Sequence, residues 1–342
     1  MILRRLHSIL KSCALFLALC SLNRKAVLGA DSSTGCVVLV ANLFNAAKVL
    51  PEFQRHVTEL QHLLKEVGIS TGLCIYENGS TDRTSLWISQ WNITAEGSRF
   101  KRIIADKDPF STSMERVSRL VVARNRALSL AREVLSEMEN CSGRYLLFLN
   151  DIVYDPRDLF SLVVDGIERE YDMVCAKDVY RGFYDRWVTR DSNGMIPSRW
   201  APGFFNSRNW MERKAPAVSK TEPQYRAVRA CWNGAALIRE SVAPQSFRAS
   251  SPGSCYSSEC KLFADDIFRS TDKDARIAVR ADVTVAYDIT HLILHKFFLS
   301  KYATVFQVLQ LASEFLVDSL MRERRVHILT SDPCPKIPML CC

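Results

Sequence analysis

The sequence predicts an α/β protein: a mostly parallel, Rossmann-like central sheet flanked by helices on both faces. Three observations predict it. Short strand-like runs at 37–40, 70–76, 100–105, 145–149 and 173–176 alternate with segments of helical period, the pattern of strand–helix–strand crossovers. Val37–Val40 and Tyr145–Leu149 are apolar throughout, as strands buried on both faces are. Asp155-Pro156 opens one of the intervening helices, pairing an N-cap residue with a first-turn proline.

Taken in order, the strand at 37–40 leads into a helix over Leu50–Glu66, whose Leu50, Phe53, Val57, Leu60 and Leu64 share one face. The strand Ser70–Tyr76 ends at Glu77-Asn-Gly-Ser-Thr-Asp82, a short helix at 84–91 follows, and then the strand Phe100–Ala105. Ser113–Met138 places Val117, Leu120, Val121, Leu128, Ala131, Val134 and Leu135 on one helical face, with Arg124 in its middle. A guanidinium under such a stripe costs several kcal/mol, on the order of the buried-ion penalty, unless an anion meets it. The strand Tyr145–Leu149 then runs into Asn150-Asp151, and open parallel sheets bind ligands beyond the carboxyl ends of their strands. After the strand Met173–Ala176, periodicity fades from 178 to 258, with Cys231–Ile238 as one strand-like island. Helices are expected near 258–268 and over 301–324, a strand at 277–287, and a loosely held tail over 331–342. This divides the chain into an N-terminal segment (1–30) and one domain (31–330), with a nucleotide-binding half (31–177) and an acceptor-binding half (178–330).

The 342 residues carry a formal charge of +8 that is spread rather than clustered. No basic stripe interleaved with aromatics is present, so nucleic-acid binding is not expected. Basic residues ahead of the apolar stretch 12–22 read as a cleaved signal peptide or a short signal anchor. Twelve cysteines and the Asn-x-Ser/Thr sites at Asn78, Asn92 and Asn140 suit an oxidising secretory compartment. With no CxxC pair, a structural zinc is not expected. A short-loop disulfide between Cys255 and Cys260 is plausible, and Cys341-Cys342 is similar to a double prenylation ending that a translocated chain could not use.

Each chemical constellation has a plain structural alternative. The carboxylates of Glu77 and Asp82 can accept from a nucleobase or ribose, or simply cap the next helix. Arg124-Asn125 can meet a diphosphate, or a core carboxylate. Asp151 can ligate a metal or end a strand, and Asp155 can join it or serve only as the N-cap before Pro156. Asp288 and His291 can supply further ligands, or be ordinary strand-end residues.

Val122-Ala-Arg-Asn-Arg-Ala-Leu128 followed by Tyr145–Asp151 resembles the helix and metal-binding turn of GT-A glycosyltransferases, and Glu77–Asp82 is similar to their nucleotide-contacting turn. More narrowly, Phe148–Asp151, Phe183–Asp191, Cys231–Gly234 and Ser258–Asp266 resemble the fungal α-1,3-mannosyltransferases related to the cryptococcal capsule enzymes (glycosyltransferase family 69), over roughly residues 37–290. The resemblance implies a GT-A fold, GDP-mannose as donor, a divalent cation such as Mn²⁺, a glycan acceptor and retention of configuration. It also implies work in the Golgi or another secretory lumen, as a type II membrane protein or a secreted form, with partner transferases as possible associates. It departs at Asn150-Asp151-Ile152, where GT-A enzymes carry Asp-x-Asp. On this reading Glu77, Asp82, Arg124, Asn125, Asn150, Trp232 and Asn233 contact the donor, and Asp151, Asp155, Asp288 and His291 are metal candidates. Asp185, Asp191, Glu259 and Asp266 are catalytic candidates. Trp187 and Trp232 can stack on sugar faces or belong to the core.

Overall fold

The computed structural model describes residues 34–91, 100–107, 110, 114–179, 183–196, 217–219, 222–271, 274–294 and 296. The expected N-terminal signal or anchor, the helix over 301–324, the tail and Asn92 lie outside the described residues. Among the described residues no helix is long and apolar enough to cross a membrane.

In chain order the elements are β1 (Thr34–Leu43), α1 (Leu50–Glu66), β2 (Ser70–Asn78), α2 (Thr84–Gln90), β3 (Phe100–Asp106), α3 (Arg116–Glu137), β4 (Cys141–Leu149), β5 (Val153–Tyr154), α4 (Pro156–Glu168) and β6 (Met173–Val179). There follow β7 (Arg190–Asp191), β8 (Ala217–Ser219), β9 (Glu222–Ala230), β10 (Ala235–Arg239), α5 (Glu259–Ser270), β11 (Ile277–Ala286) and α6 (Ile289–Ile293). The sheet runs β3-β2-β1-β4-β10-β6-β11-β9-β7.

Parallel pairing runs on both sides of β10, interrupted by it. β3, β2, β1 and β4 are parallel neighbours, and β6 is parallel to β11. Between them β10 runs antiparallel to both β4 and β6, which makes the sheet mixed. Asn150 N donates to Gly234 O at 2.8 Å, so β10 starts where β4 stops and runs back. Asn233 and Gly234 both hold positive φ, 52° and 74°. A Cβ on Gly234 would meet Ile152 and Val285 at 3.0 and 3.1 Å, which favours glycine here on two counts. An apolar run reveals that a strand is buried but not its direction.

Successive strand residues point to opposite faces. Val37, Leu39, Leu73, Ile75 and Leu147 pack under α1 and α4, while Cys36, Val38, Val40, Cys74, Leu146 and Phe148 pack under α3 and α5. Helix α3 buries Val117, Ala123, Ala127, Leu128, Ala131, Val134 and Leu135 as its pattern demands, and Arg124 with them. Leu120 and Val121, which the pattern placed on the same face, are only half-buried. Glu115 caps that turn by accepting from Val117 N and Ser118 N.

Disulfides join Cys36 to Cys141 and Cys175 to Cys231. The expected Cys255–Cys260 bridge is not formed: Cys255 is disulfide-bonded elsewhere and Cys260 is a buried free thiol. Asn78 is buried at the end of β2, so its side chain is not presented as a surface glycosylation site.

Candidate active site at the carboxyl edge of the sheet

The strands β1, β2, β4, β6 and β11 all end on one edge, and the candidate site lies beyond β4, β6 and β11. Its centre is Arg124, 9 % exposed on the sheet-facing side of α3. Its Nε donates to Glu259 Oε1 at 2.9 Å and its Nη2 to Asn150 Oδ1 at 3.5 Å. The guanidinium lies over the indole of Trp232, 4.9 Å from the ring centroid, an arrangement that favours a cation over the π face. Trp232 Nε1 donates to the same Asn150 Oδ1 at 3.3 Å. The buried charge is therefore met from inside the protein, by an acid 135 residues away in sequence.

Glu259 is the first residue of α5, behind the N-cap Ser258, and is 2 % exposed. Burial pushes its carboxyl up, but the charge and hydrogen bond of Arg124 outweigh this and hold it below the usual range. Cys260 Sγ donates to Glu259 at 3.3 Å, and burial raises that thiol far above its ordinary value, so it is no nucleophile.

Beside this pair lies a second acidic group that sequence reasoning missed in part. Asp178, at the end of β6, is fully buried. It accepts from Asp185 N at 3.2 Å and from Tyr287 Oη at 3.5 Å. Asp185 in turn accepts from Asn233 N at 3.2 Å and Val188 N at 3.3 Å. Burial pushes Asp185 up to about 6, against the hydrogen bonds from Asn233 and Val188 and the charge of Arg124. Asp178 rises well above its ordinary value through burial and the neighbouring Asp185. The signal for Asp178 was a carboxylate closing the apolar run 173–176; Tyr287 had no sequence signal beyond following the last strand.

Asp151 is half-buried just after β4, and no side-chain partner holds it among the described residues. Burial raises its carboxyl, and its own backbone amide and the charge of Arg124 lower it in part. Arg124, Glu259, Asn150, Trp232, Asp151 and Asp185 are thus brought together.

The other candidates are engaged differently. Asn125 clamps the backbone of Phe247, donating to its O at 3.0 Å and accepting from its N at 2.7 Å; Phe247 then stacks on Phe263 and edges onto Trp232. Asn233 is buried, donating to Ala176 O and accepting from Thr189 Oγ1. Trp232 packs against Phe148, Phe247 and Phe263, the core alternative of the sequence reading. Asp191 caps the turn after β7 by accepting from Asn193 N and Met195 N. Asp266 forms a two-pronged ion pair with Arg248 at 2.7 and 2.8 Å on the surface.

Asp155 is the N-cap of α4 and pairs with Lys296 at 3.0 Å. Asp288 is the N-cap of α6 and contacts His291 Nδ1. No group of three or more His, Cys, Asp or Glu side chains able to hold a metal occurs among the described residues, so the four metal candidates do not form a cage.

Glu77 and Asp82 organise the neighbouring edge. Glu77 is buried and accepts from Ser80 N and Ser85 Oγ, while Asp82 accepts from Thr84 N and Ala47 N. Asn45, at φ 51°, ties the two turns together by accepting from Thr81 N at 2.8 Å. That link between the loops after β1 and β2 left no trace in the sequence pattern.

Residues 36–266 match the family described as Cryptococcal mannosyltransferase 1. The chain belongs to that family. Membership supports glycosyltransferase activity with a nucleotide-sugar donor, and the mixed sheet flanked by helices is GT-A-like in general terms. No curated protein matches the chain. Among solved structures it is similar to S. aureus TarS 1–349 (13 % identity, TM-score 0.41, covering 74 % of this chain and 60 % of that one). A second TarS structure gives 13 % identity and TM-score 0.43, covering 79 % of this chain and 39 % of that one. The mannosyltransferase PcManGT from Pyrobaculum calidifontis, in complex with GDP-Man and Mn²⁺, gives 14 % and 0.42, covering 84 % and 73 %. The chain thus spans less than two thirds of either TarS chain.

Proposed function

We propose that the chain moves mannose from GDP-mannose to a hydroxyl of a glycan acceptor in the secretory pathway, retaining the α configuration in an α-1,3 linkage. Family membership supports the sugar transfer; donor, linkage and compartment rest on the sequence resemblance. The observation that carries the reading is Asp151, a carboxylate without a side-chain partner, set beside a buried guanidinium at the carboxyl end of a central strand.

A divalent cation fits this donor set as an ion shared with the substrate. Hard cations of the Mg²⁺ type are commonly held by one or two carboxylates with phosphate oxygens and water completing the shell. Asp151 would be that carboxylate, since Asn150 Oδ1 already accepts from Arg124 and Trp232. When bound, the cation neutralises charge on the leaving diphosphate.

The chain's own residues do the rest. Arg124 holds Asn150 and Glu259 in place, and its charge offsets part of the burial that raises Asp151. Asp185, poised near neutrality, suits acceptance of the acceptor hydroxyl's proton as the new glycosidic bond forms and the bond to the diphosphate breaks. The test is GDP release from GDP-mannose with short α-mannosides and Mn²⁺. Release should require acceptor and fall at least about a hundredfold in Asp151→Asn, the scale of a lost charge-stabilising group. Tighter calorimetric binding of UDP than GDP would overturn the mannose assignment in favour of another donor sugar.

One observation favours a second reading, a silent relative that binds sugar nucleotide or glycan within an assembly complex: Arg124 already has an internal counter-ion in Glu259. GDP binding without release, across the mannoside panel, would support it.

A further inference from the structure

Three large aromatics stand exposed around the mouth of this site: Tyr184 at 53 %, Trp187 at 39 % and Tyr256 at 62 %. None is loosely placed. Trp187 and Tyr256 stack at 6.0 Å between centroids, 27° apart. Arg116 reaches over Trp187 at 5.9 Å, and Tyr256 Oη donates to Glu115 at 2.6 Å. Tyr184 packs on Tyr287 at 5.0 Å, the residue whose hydroxyl meets Asp178. The turn that carries Tyr184 and Trp187 is fixed from below: Arg190 Nη1 donates to the carbonyls of Trp187 and Thr189 at 3.1 and 2.8 Å, and Asp185 accepts from Val188 N.

Chain connectivity places this shelf against the site. Tyr184 adjoins Asp185 and Trp187 follows it by two residues, a reach of at most about 7 Å between Cα atoms. Tyr256 precedes Glu259 by three residues, a reach of at most about 11 Å. Exposed aromatics rimmed by polar groups mark binding surfaces, and a rigid turn lowers the ordering cost of using them. The rings alternate with Glu115, Arg116 and Asp185 rather than merging into an aliphatic patch. A ligand with flat C–H faces and a hydroxyl-rich edge fits that alternation; a lipid chain or an apolar helix does not.

We propose that Tyr184, Trp187 and Tyr256 form a platform for the acceptor saccharide, seating the two or three sugar rings next to the one that receives the transfer. This rests on the transferase reading only in naming the saccharide an acceptor. The test is therefore binding of short α-linked manno-oligosaccharides by calorimetry, without donor or metal. Trp187→Ala and Tyr184→Ala should each weaken binding about tenfold, the scale of one lost stacking contact. Trp187→Phe should retain most of it, and Trp87→Ala, at an exposed tryptophan on α2, should change nothing. Tyr256→Ala serves as a third, surface-only truncation should the turn variants unfold. Wild-type affinity in all the truncations that fold, or no saccharide binding by the wild type up to about 10 mM, overturns the platform even if GDP is released. Saccharide binding that depends on Trp187, in a chain that never releases GDP, sustains the platform and sinks the transferase reading.

Discussion

The Arg124–Glu259 pair yields the sharpest prediction, because it serves both stability and ligand binding. The side chains are 10 % and 2 % exposed and 2.9 Å apart. Breaking such a pair from one side strands a charge in the interior, at about 3–5 kcal/mol. Glu259→Gln should therefore lower Tm by roughly 10 °C, at about 2–4 °C per kcal/mol for a domain of this size. Arg124→Met should do the same, since Glu259 is then the stranded group. The double variant Arg124→Met/Glu259→Leu removes both charges and should regain most of the loss, giving an interaction free energy of about 2 kcal/mol or more in a double-mutant cycle. Urea unfolding monitored by circular dichroism measures it. The functional half follows from the same charge. Freed from Glu259, Arg124 should hold an added diphosphate more strongly, so GDP with Mn²⁺ should raise the Tm of Glu259→Gln more than that of wild type. Additive single-variant losses would refute the ion-pair argument, and equal ligand-induced shifts would refute the link from Arg124 to the diphosphate.

Two further outcomes follow. Asp185 is raised from 3.8 to about 6, so between those values the folded chain holds a proton that the unfolded chain has released, and stability falls as pH rises. The stability difference between Asp185→Asn and wild type should therefore grow in the variant's favour from pH 4 to about 6 and then level off; a difference that shrinks with pH would reverse the assignment. The Cys175–Cys231 bridge closes 56 residues, worth roughly 4 kcal/mol on the chain-entropy account, and it anchors the residue before Trp232. Cys231→Ser should lower the urea midpoint accordingly and loosen the packing around Trp232, read as a red shift in tryptophan emission; an unchanged midpoint would count against it.

Local signals were readable wherever the physics is local. The period of α3, the buried run of β4 and the Asp155-Pro156 start all appear where the sequence placed them. The cost of burying Arg124 implied a carboxylate nearby, but its identity depends on α5 packing against α3, a contact 135 residues distant. Asn125 was read as part of the same motif, yet its amide turned to the backbone of Phe247, a partner that no spacing rule names. Likewise Asp266 was grouped with Glu259 by proximity in sequence. On a helix, residues seven apart share a face, but Glu259 sits at the buried start of α5, and Asp266 reaches Arg248 at the surface instead. The direction of β10 was hidden for the same reason, since pairing sense is set by where the loop returns.

Charge at the edge constrains how a nucleotide could arrive there. Arg124 and Glu259 cancel. Asp178 and Asp185 are both pushed up by burial, Asp178 also by the neighbouring Asp185, so close to neutrality the two do not carry two full charges. Asp151 is left as the unmatched carboxylate, and Arg124 lowers its pKa only in part against its burial. Asp151 thus leaves the edge acidic, and a diphosphate alone would be repelled by it. On the proposed function Asp151 would hold a divalent cation, which would supply the positive charge that the donor's diphosphate needs there. GDP affinity should fall on chelation with EDTA, and Asp151→Asn should make GDP binding less sensitive to metal while abolishing turnover. A GDP affinity that EDTA leaves untouched would mean that the diphosphate sits somewhere other than beside residue 151.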